Sequence, residues 1–171
     1  FKLVSESQDN FYRHPHVTFD LLQKYHEGVI ATAACVGGAI QQYVLENKED
    51  LAEETIKKYI RIFGKEDFYL EVQRHGLTEE TVVEGFFIEM AEKYGLKIIA
   101  TTDSHYLEKD DAYAHEVLLC MQQEKKMTGP HWKFNGTGYH LHTSEEMEVL
   151  FSDHLEWLDN TLDLADKCDA H

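Results

Sequence analysis

The chain has 171 residues with 32 acidic and 16 basic side chains, a formal net charge of −16. Binding to nucleic-acid phosphates needs a basic surface, so the excess of acidic residues argues against this chain binding nucleic acid by itself. Hydrophobic residues make up 43% of the chain, enough for a buried core, but no apolar run is long enough to span a membrane. The three cysteines are scattered and odd in number, which favours a reducing cytoplasm over a disulfide framework: Cys35, Cys120 and Cys168.

Turn signals and hydrophobic periodicity divide the chain into alternating strands and helices after an irregular start over residues 1–17. Buried strands are predicted at 29–33, 67–74 and 97–101. Helices are predicted at 18–28, 39–46, 50–63, 78–95, 110–121, 143–151 and 154–168, with a turn at 35–38, a loop at 124–138 and a short strand at 139–141. Thr18, Thr78 and Thr143 are predicted helix caps, and Gly64 and Gly95 are predicted helix ends.

Three of these helices have a predicted inward face. The helix at 78–95 would bury Val82, Phe86, Met90 and Tyr94. The helix at 110–121 would bury Ala114, Val117, Leu118 and Met121, and the helix at 154–168 would bury Leu155, Leu158, Leu162 and Ala165. The alternation predicts an α/β fold with neighbouring parallel strands and flanking helices. Three strands are too few for a closed barrel, so we expect the chain to be part of a longer protein.

Polar groups able to bind a metal follow the predicted strands. Glu71 and His75 lie at the end of the second strand, and Asp103 and His105 follow the third, where α/β folds place their sites. Imidazole, carboxylate and thiolate groups suit zinc, manganese or iron. Taken alone, the D-x-H motif is equally typical of a turn carboxylate beside a surface histidine. Cys35 alone reads better as a small buried hydrophobe.

Two further histidine pairs have the H-x-H pattern. His140 and His142 lie on the predicted short strand, and His14 and His16 flank Pro15. Solvated surface pairs are the commoner explanation for such motifs, and the residues alone leave both explanations open.

Four segments together resemble a known family. EGVIATAACVGGAI, FGKEDFYLEVQRHG, LKIIATTDSHYLEKDDAYAHEVLLCMQ and YHLHTSEEMEVLF resemble, in this order, the polymerase-and-histidinol-phosphatase (PHP) domain at the amino end of bacterial DNA polymerase III alpha subunits. The resemblance covers essentially the whole chain. It implies an incomplete distorted (βα)7 barrel of the PHP type, with a metal cluster at the carboxyl ends of its strands.

The resemblance also implies roles for particular residues. The metal-ligand positions of the family are matched by Cys35, His75, Asp103 and His105. Glu71 matches an acidic position whose side chain contacts the ligands and not the metal. The implied cofactor is a divalent metal, zinc or manganese, bound weakly or not at all by this piece alone. The family's first H-x-H motif has no counterpart here, so residues 1–171 are expected to be the later part of the domain. Residues 1–125 would form the βα core, and 126–171 a loop and closing helices that lead toward the polymerase palm.

Three functions follow from the resemblance. The parent would be a DNA-directed DNA polymerase, a nucleotidyltransferase of DNA replication, whose PHP domain carries a metal-dependent phosphoesterase or 3′–5′ exonuclease-type site. This piece alone would be inactive, with no catalytic residue of its own. Alternatively, the domain is a non-catalytic scaffold that docks a proofreading exonuclease. A free-standing PHP phosphatase, such as histidinol phosphatase, is the third interpretation.

The resemblance also sets the expected partners. These are DNA through the parent polymerase, other replicase subunits such as the proofreading exonuclease and the sliding clamp, and no membrane. The isolated piece is expected to dimerise through an exposed sheet edge, or to cover that edge with residues 1–17.

Overall fold

The computed structural model describes residues 1–11 and 13–168. In chain order, these residues form α1 (Lys2–Asp9), α2 (Phe19–Tyr25), β1 (Ala31–Ala33), α3 (Ala39–Leu45), α4 (Glu49–Phe63), β2 (Phe68–Val72), α5 (Thr78–Tyr94), β3 (Ile98–Ala100), α6 (Ala112–Gln122), α7 (Ser144–Leu150) and α8 (Leu155–Lys167). A 3-10 turn over Lys109–Asp111 precedes α6. The last three residues of the predicted closing segment, 169–171, lie outside the described residues.

The sheet has the order β1-β2-β3, and both pairings are parallel. Ala31 pairs with Phe68 and Leu70 pairs with Ile98, so each strand end reaches the same edge of the sheet. The prediction of adjacent parallel strands is therefore confirmed, with strands shorter than expected. The fold is mixed α/β, as the PHP resemblance implies. Closure into a seven-stranded barrel remains an expectation.

Helices cover the sheet and form the core with it. The largest fully buried side chains come from both layers: Phe68, Phe87, Phe151, Ile56, Leu70, Met90 and Gln41. Helix α8 lies along β3, where Asn160 Nδ2 donates to the Ile98 carbonyl (2.8 Å) and Thr161 Oγ1 donates to the Ala100 carbonyl (3.0 Å). These bonds satisfy carbonyls on the outer side of β3.

Most local end signals were predicted well, but the prediction of Thr78 as a helix cap is wrong, since Thr78 is the first residue of α5 and Leu77 is at the cap position. Gly64 and Gly95 end α4 and α5 with positive φ angles of 78° and 65°, which glycine adopts without a Cβ penalty. The Thr18 side chain accepts a hydrogen bond from the Leu21 amide. Thr143 and Glu146 form the predicted capping box at α7.

The irregular start and the short strand were predicted wrongly. Residues 2–9 form helix α1, which is fixed by a tertiary contact, since Tyr25 Oη donates to Glu6 Oε1 (2.7 Å). Residues 139–141 form no strand, and His140 makes one isolated parallel bridge with Tyr106 of the same chain. No helix among the described residues has the length and apolar character needed to cross a bilayer.

The predicted inward faces were partly wrong, because helix packing differs from the simplest apolar stripe. In α5, Val82 is half exposed and its neighbour Val83 is buried. In α6, Leu118 and Met121 are exposed and Cys120 is buried. In α8, the exposed residues include Leu155, Leu162 and Ala165, and the buried residue is Trp157.

Candidate metal centre at the carboxyl edge of the sheet

The predicted donors lie at one edge of the sheet. Cys35 follows β1, His75 follows β2, and Asp103 and His105 follow β3. The carboxyl ends of parallel strands share this edge, which is why residues up to 70 positions apart in the sequence meet here. The structure places all four in the region where an α/β site is expected.

His75 is the most firmly held of the four, with only 3% of its surface exposed. Its Nδ1 donates to Glu80 Oε1 (2.6 Å), and its Nε2 donates to the Thr102 carbonyl (2.9 Å). Burial lowers the pKa of His75, but the Glu80 carboxylate and the Thr102 carbonyl outweigh it, so the pKa is raised overall. With both ring nitrogens facing acceptors, the imidazolium form is favoured in this arrangement.

Asp103 and His105 lie beside each other at the end of β3. Asp103 has a positive φ of 46°, a conformation rare outside glycine, which turns the chain sharply after the strand. Its Oδ2 lies 3.4 Å from His105 Nε2, and both side chains are about one third exposed, at 38% and 34%. The His105 ring packs 4.4 Å, centroid to centroid, from Phe134. Asp103 and His105 of the D-x-H motif thus form a solvent-accessible pair, and the Phe134 ring packs against His105 on one side.

Cys35 is exposed, and it lines a small cavity of about 20 Å³ together with Glu71 and Glu80. Glu71 accepts hydrogen bonds from Thr101 Oγ1 (2.6 Å) and Gln73 Nε2 (3.3 Å). Glu71 is therefore hydrogen-bonded to residues at the ends of β2 and β3. This arrangement is expected of a residue that positions metal ligands without binding the metal itself.

Tyr139 joins these groups. Its ring stacks on His75 with 3.9 Å between centroids. Burial raises the pKa of Tyr139 to about 12, and the charges of Glu80, Asp103, Tyr106 and Cys35 add to the effect. Tyr139 is therefore affected by the charges of two predicted donors, Cys35 and Asp103, and of Glu80, which holds a third.

Glu80 and Tyr139 were missed by sequence reasoning. Glu80 holds three groups at once, because its Oε2 also accepts from the backbone amides of His75 (2.7 Å) and Leu77 (3.2 Å). A signal existed: Glu80 is the third residue of α5, where an acid commonly binds the amides before a helix. Tyr139 carried no such signal, since a loop brings it back over His75.

Among residues 1–11 and 13–168, one group of three metal-capable side chains has all its donor atoms within 4.8 Å: Glu84, Asp153 and His154. The Arg74 guanidinium already fills the space between its two carboxylates. It donates to Glu84 Oε1 (2.6 Å) and Asp153 Oδ1 (2.7 Å), and these hydrogen bonds raise its pKa against the opposing effect of burial. This group is an arginine–carboxylate network that joins β2 to α5 and α8, and we do not assign it a metal.

The donor chemistry of the predicted set fits a divalent ion. A carboxylate that holds one ring nitrogen of a histidine is the usual partner of a metal-binding imidazole, and Glu80 does this for His75. The other nitrogen, Nε2, donates to the Thr102 carbonyl, so it could bind a metal only after losing that hydrogen bond and its proton. As they stand, the four donors share the edge without all lying within 4.8 Å, and their role as ligands stays a prediction.

Comparisons with known proteins give consistent results. The family described as PHP domain matches residues 1–75. The DNA polymerase III subunit alpha of Thermus aquaticus is 38% identical over 167 residues, which cover 95% of this chain and 14% of the relative. The subunit from Borreliella burgdorferi is 37% identical over 98% of this chain and 15% of its own length, and that from Aquifex aeolicus is 38% identical over 94% and 14%. The chain thus spans about one seventh of the relatives it matches.

Proposed function

We propose that this chain is part of a DNA-directed DNA polymerase. The reason is that it belongs to the PHP-domain region of the DNA polymerase III alpha subunit family. The observation that carries this proposal is the match to these subunits over nearly the whole chain, at 37% and 38% identity in two distant bacteria. We propose the later part of the PHP domain as its place in that protein.

The local function that we propose is metal-dependent phosphoester hydrolysis of the 3′–5′ exonuclease type. Cys35, His75, Asp103 and His105 would hold zinc or manganese at the carboxyl edge of the sheet. Such an ion supplies an activated water and stabilises charge on a phosphate oxygen. Glu80 orients the His75 ring through Nδ1, and the Tyr139 ring covers one face of it. The positive φ of Asp103 turns its carboxylate toward His105.

The scaffold function is the second candidate, and a specific observation favours it. Both ring nitrogens of His75 are already satisfied by protein groups, so the edge is stable as it stands. The net charge of −16 also suits protein contacts better than DNA contacts. In this role, the domain would support the polymerase and dock the proofreading exonuclease, with the sliding clamp bound elsewhere on the parent. Three free cysteines agree with a cytoplasmic location for either role.

An exonuclease assay on the full-length parent separates the two candidates. With Zn²⁺ or Mn²⁺ present, we expect 3′–5′ degradation of a labelled oligonucleotide that EDTA abolishes. Asp103→Asn should lower it at least about 100-fold by removing a donor, while polymerase activity stays unchanged. Asp110→Asn is the matched control, since it removes an exposed carboxylate seven residues away. If the parent shows no metal-dependent degradation, or if Asp103→Asn degrades DNA as the wild type does, the scaffold function holds instead.

A further inference from the structure

The second H-x-H motif, outside the site described above, contains an unusual buried histidine. His140 is 7% exposed, and neither of its ring nitrogens has a hydrogen-bond partner among residues 1–11 and 13–168. A buried imidazole without a partner loses its hydration with no replacement, which is unfavourable. His140 lines a groove of about 620 Å³ at the protein surface, although both of its ring nitrogens are buried beneath the groove wall.

A carboxylate and a second imidazole lie next to His140. Glu146 Oε1 is 3.5 Å from His140 Nε2. Two ligands of one tetrahedral zinc ion lie roughly 3.3 Å apart, given bonds of about 2.0–2.1 Å. The His142 ring stacks on His140 with 4.0 Å between centroids and lines the same groove.

Backbone groups near His140 form hydrogen bonds that position the side chains of Glu146 and His142. Glu146 Oε2 accepts from the Thr143 amide (2.9 Å) in the capping box of α7, which leaves Oε1 directed at His140. His142 Nδ1 donates to the His140 carbonyl (3.0 Å), so in the neutral ring Nε2 is the nitrogen that carries a lone pair for a metal. Both features are the supporting contacts that metal ligands usually have.

We propose that His140, His142 and Glu146 form a second metal site, which takes a divalent ion of the zinc class. The three donor atoms do not yet all lie within 4.8 Å of one another. His140 and Glu146 are already at ligand spacing, whereas the His142 side chain would have to turn and give up its bond to the His140 carbonyl to supply the third donor. Two imidazoles and one carboxylate leave a fourth position for water. The bound ion would link the 139–142 segment to the start of α7.

Cobalt titration of the 171-residue chain tests this site apart from the predicted one. For this titration the chain is given the substitutions Asp103→Asn and His105→Ala, which remove two of the four donors of the proposed phosphoesterase site and leave Cys35 and His75 in place. We expect one equivalent of Co²⁺ to bind, seen by its visible d–d absorption. His142→Ala and Glu146→Gln should each weaken binding at least about tenfold. The matched control is His14→Ala with His16→Ala, which removes an exposed H-x-H pair.

Thermal unfolding provides a second readout, because His140→Leu replaces the buried imidazole by an apolar side chain that can still pack. In EDTA we expect this variant to unfold at the same temperature as the otherwise identical chain that keeps His140, or at a higher one. Zn²⁺ should raise the melting temperature of the chain that keeps His140 and leave that of the His140→Leu variant unchanged. The proposal is overturned if Co²⁺ does not bind stoichiometrically, if the His142 and Glu146 variants bind as the parent does, or if Zn²⁺ stabilises His140→Leu equally.

Discussion

Gly136 shows how a single loop residue supports the candidate site. Its φ is 82°, and a Cβ built on it would lie 2.4 Å from the His75 carbonyl oxygen. The next residue, Thr137, donates its amide to that same oxygen (2.9 Å). The long polar loop therefore lies directly on the backbone of His75, and only glycine permits this approach.

Gly136→Ala should destabilise the protein by about 2–4 kcal/mol, because it adds a positive-φ penalty to a clash with backbone. Chemical denaturation measures the change. Gly85→Ala is the matched control, since Gly85 lies exposed inside α5 with open space around it. That substitution should stabilise the protein by about 0.5–1 kcal/mol. Equal effects of the two substitutions would show that the loop does not lie against His75.

Strand ends and metal-capable residue types are local features, so the residues alone pointed to His75, Asp103 and His105, whereas Cys35 was predicted as a ligand only through the family resemblance. The partners of these donors could not be predicted. The contact of Glu80 with His75 and the stacking of Tyr139 on His75 depend on how α5 and the loop return to the edge. The burial of His140 without a partner also depends on tertiary packing, and no sequence motif distinguishes it from the exposed pair at His14 and His16.

At the scale of elements, Arg74 links three parts of the fold. Besides Glu84 in α5 and Asp153 before α8, it donates to the Leu150 carbonyl (2.9 Å) at the end of α7. The guanidinium also lies 4.8 Å from the centroid of the Phe151 ring. Five directed hydrogen bonds of this kind suit the planar fork of arginine and no other side chain.

Arg74→Met should lower the free energy of unfolding by about 2–4 kcal/mol, since it leaves the partly buried Glu84 carboxylate unpaired. Denaturant unfolding measures the loss. Lys97→Met is the comparison, because it removes an ion pair with Asp163 between well-exposed side chains and should change the unfolding midpoint very little. If the two substitutions have similar effects, the Arg74 network does not tie these elements together.

Glu53 provides a pH-dependent link between α4 and α5. It accepts hydrogen bonds from Lys57, Tyr94 and Lys93, which together lower its pKa from 4.5 to about 2. A carboxyl group whose folded pKa is depressed contributes stability above its unfolded pKa, and this contribution is lost as the pH falls. The loss should therefore occur between about pH 4.5 and pH 2.

Acid unfolding of Glu53→Gln tests this link. The stability difference between wild type and variant should be largest near neutral pH and should shrink as the pH falls from 4.5 toward 2. Glu89→Gln, at an exposed position of α5, controls for the loss of one surface charge. A difference for Glu53→Gln that stays constant down to pH 2 would contradict the depressed pKa.

Element boundaries followed local signals closely, and helix faces did not. Gly64, Gly95 and Thr143 act within one turn of a helix, so their effect is visible in the sequence. In α6, apolar residues occur on several sides of the helix, and tertiary packing buries Cys120 while Leu118 stays exposed. Helix α1 is equally non-local, since its contact with α2 lies 19 residues away.

At the scale of the whole molecule, the sheet is short and open. In the described residues, β1 and β3 each pair only with β2, and the isolated bridge between Tyr106 and His140 lies outside these strands. An unpaired edge at β1 is a template for association between chains. The barrel that the PHP resemblance implies would place further strands beside this edge.

Sedimentation equilibrium tests the consequence for the isolated chain. We expect the 171-residue chain to dimerise through β1. Thr32→Lys should shift it toward monomer, because Thr32 is exposed on that strand and a lysine there opposes edge pairing. Thr81→Lys, at an exposed position of α5, should leave the dimer unchanged. A wild-type chain that stays monomeric would contradict the open edge as an association site.

The most direct test of the central claim is metal analysis of the purified full-length parent beside its Asp103→Ala and His105→Ala variants. If the carboxyl edge is a metal centre, the wild type retains zinc or manganese through gel filtration and both variants lose most of it. Circular dichroism of each protein confirms that the fold is intact. Equal metal content in all three proteins would contradict the account, because Asp103 and His105 would then not be ligands.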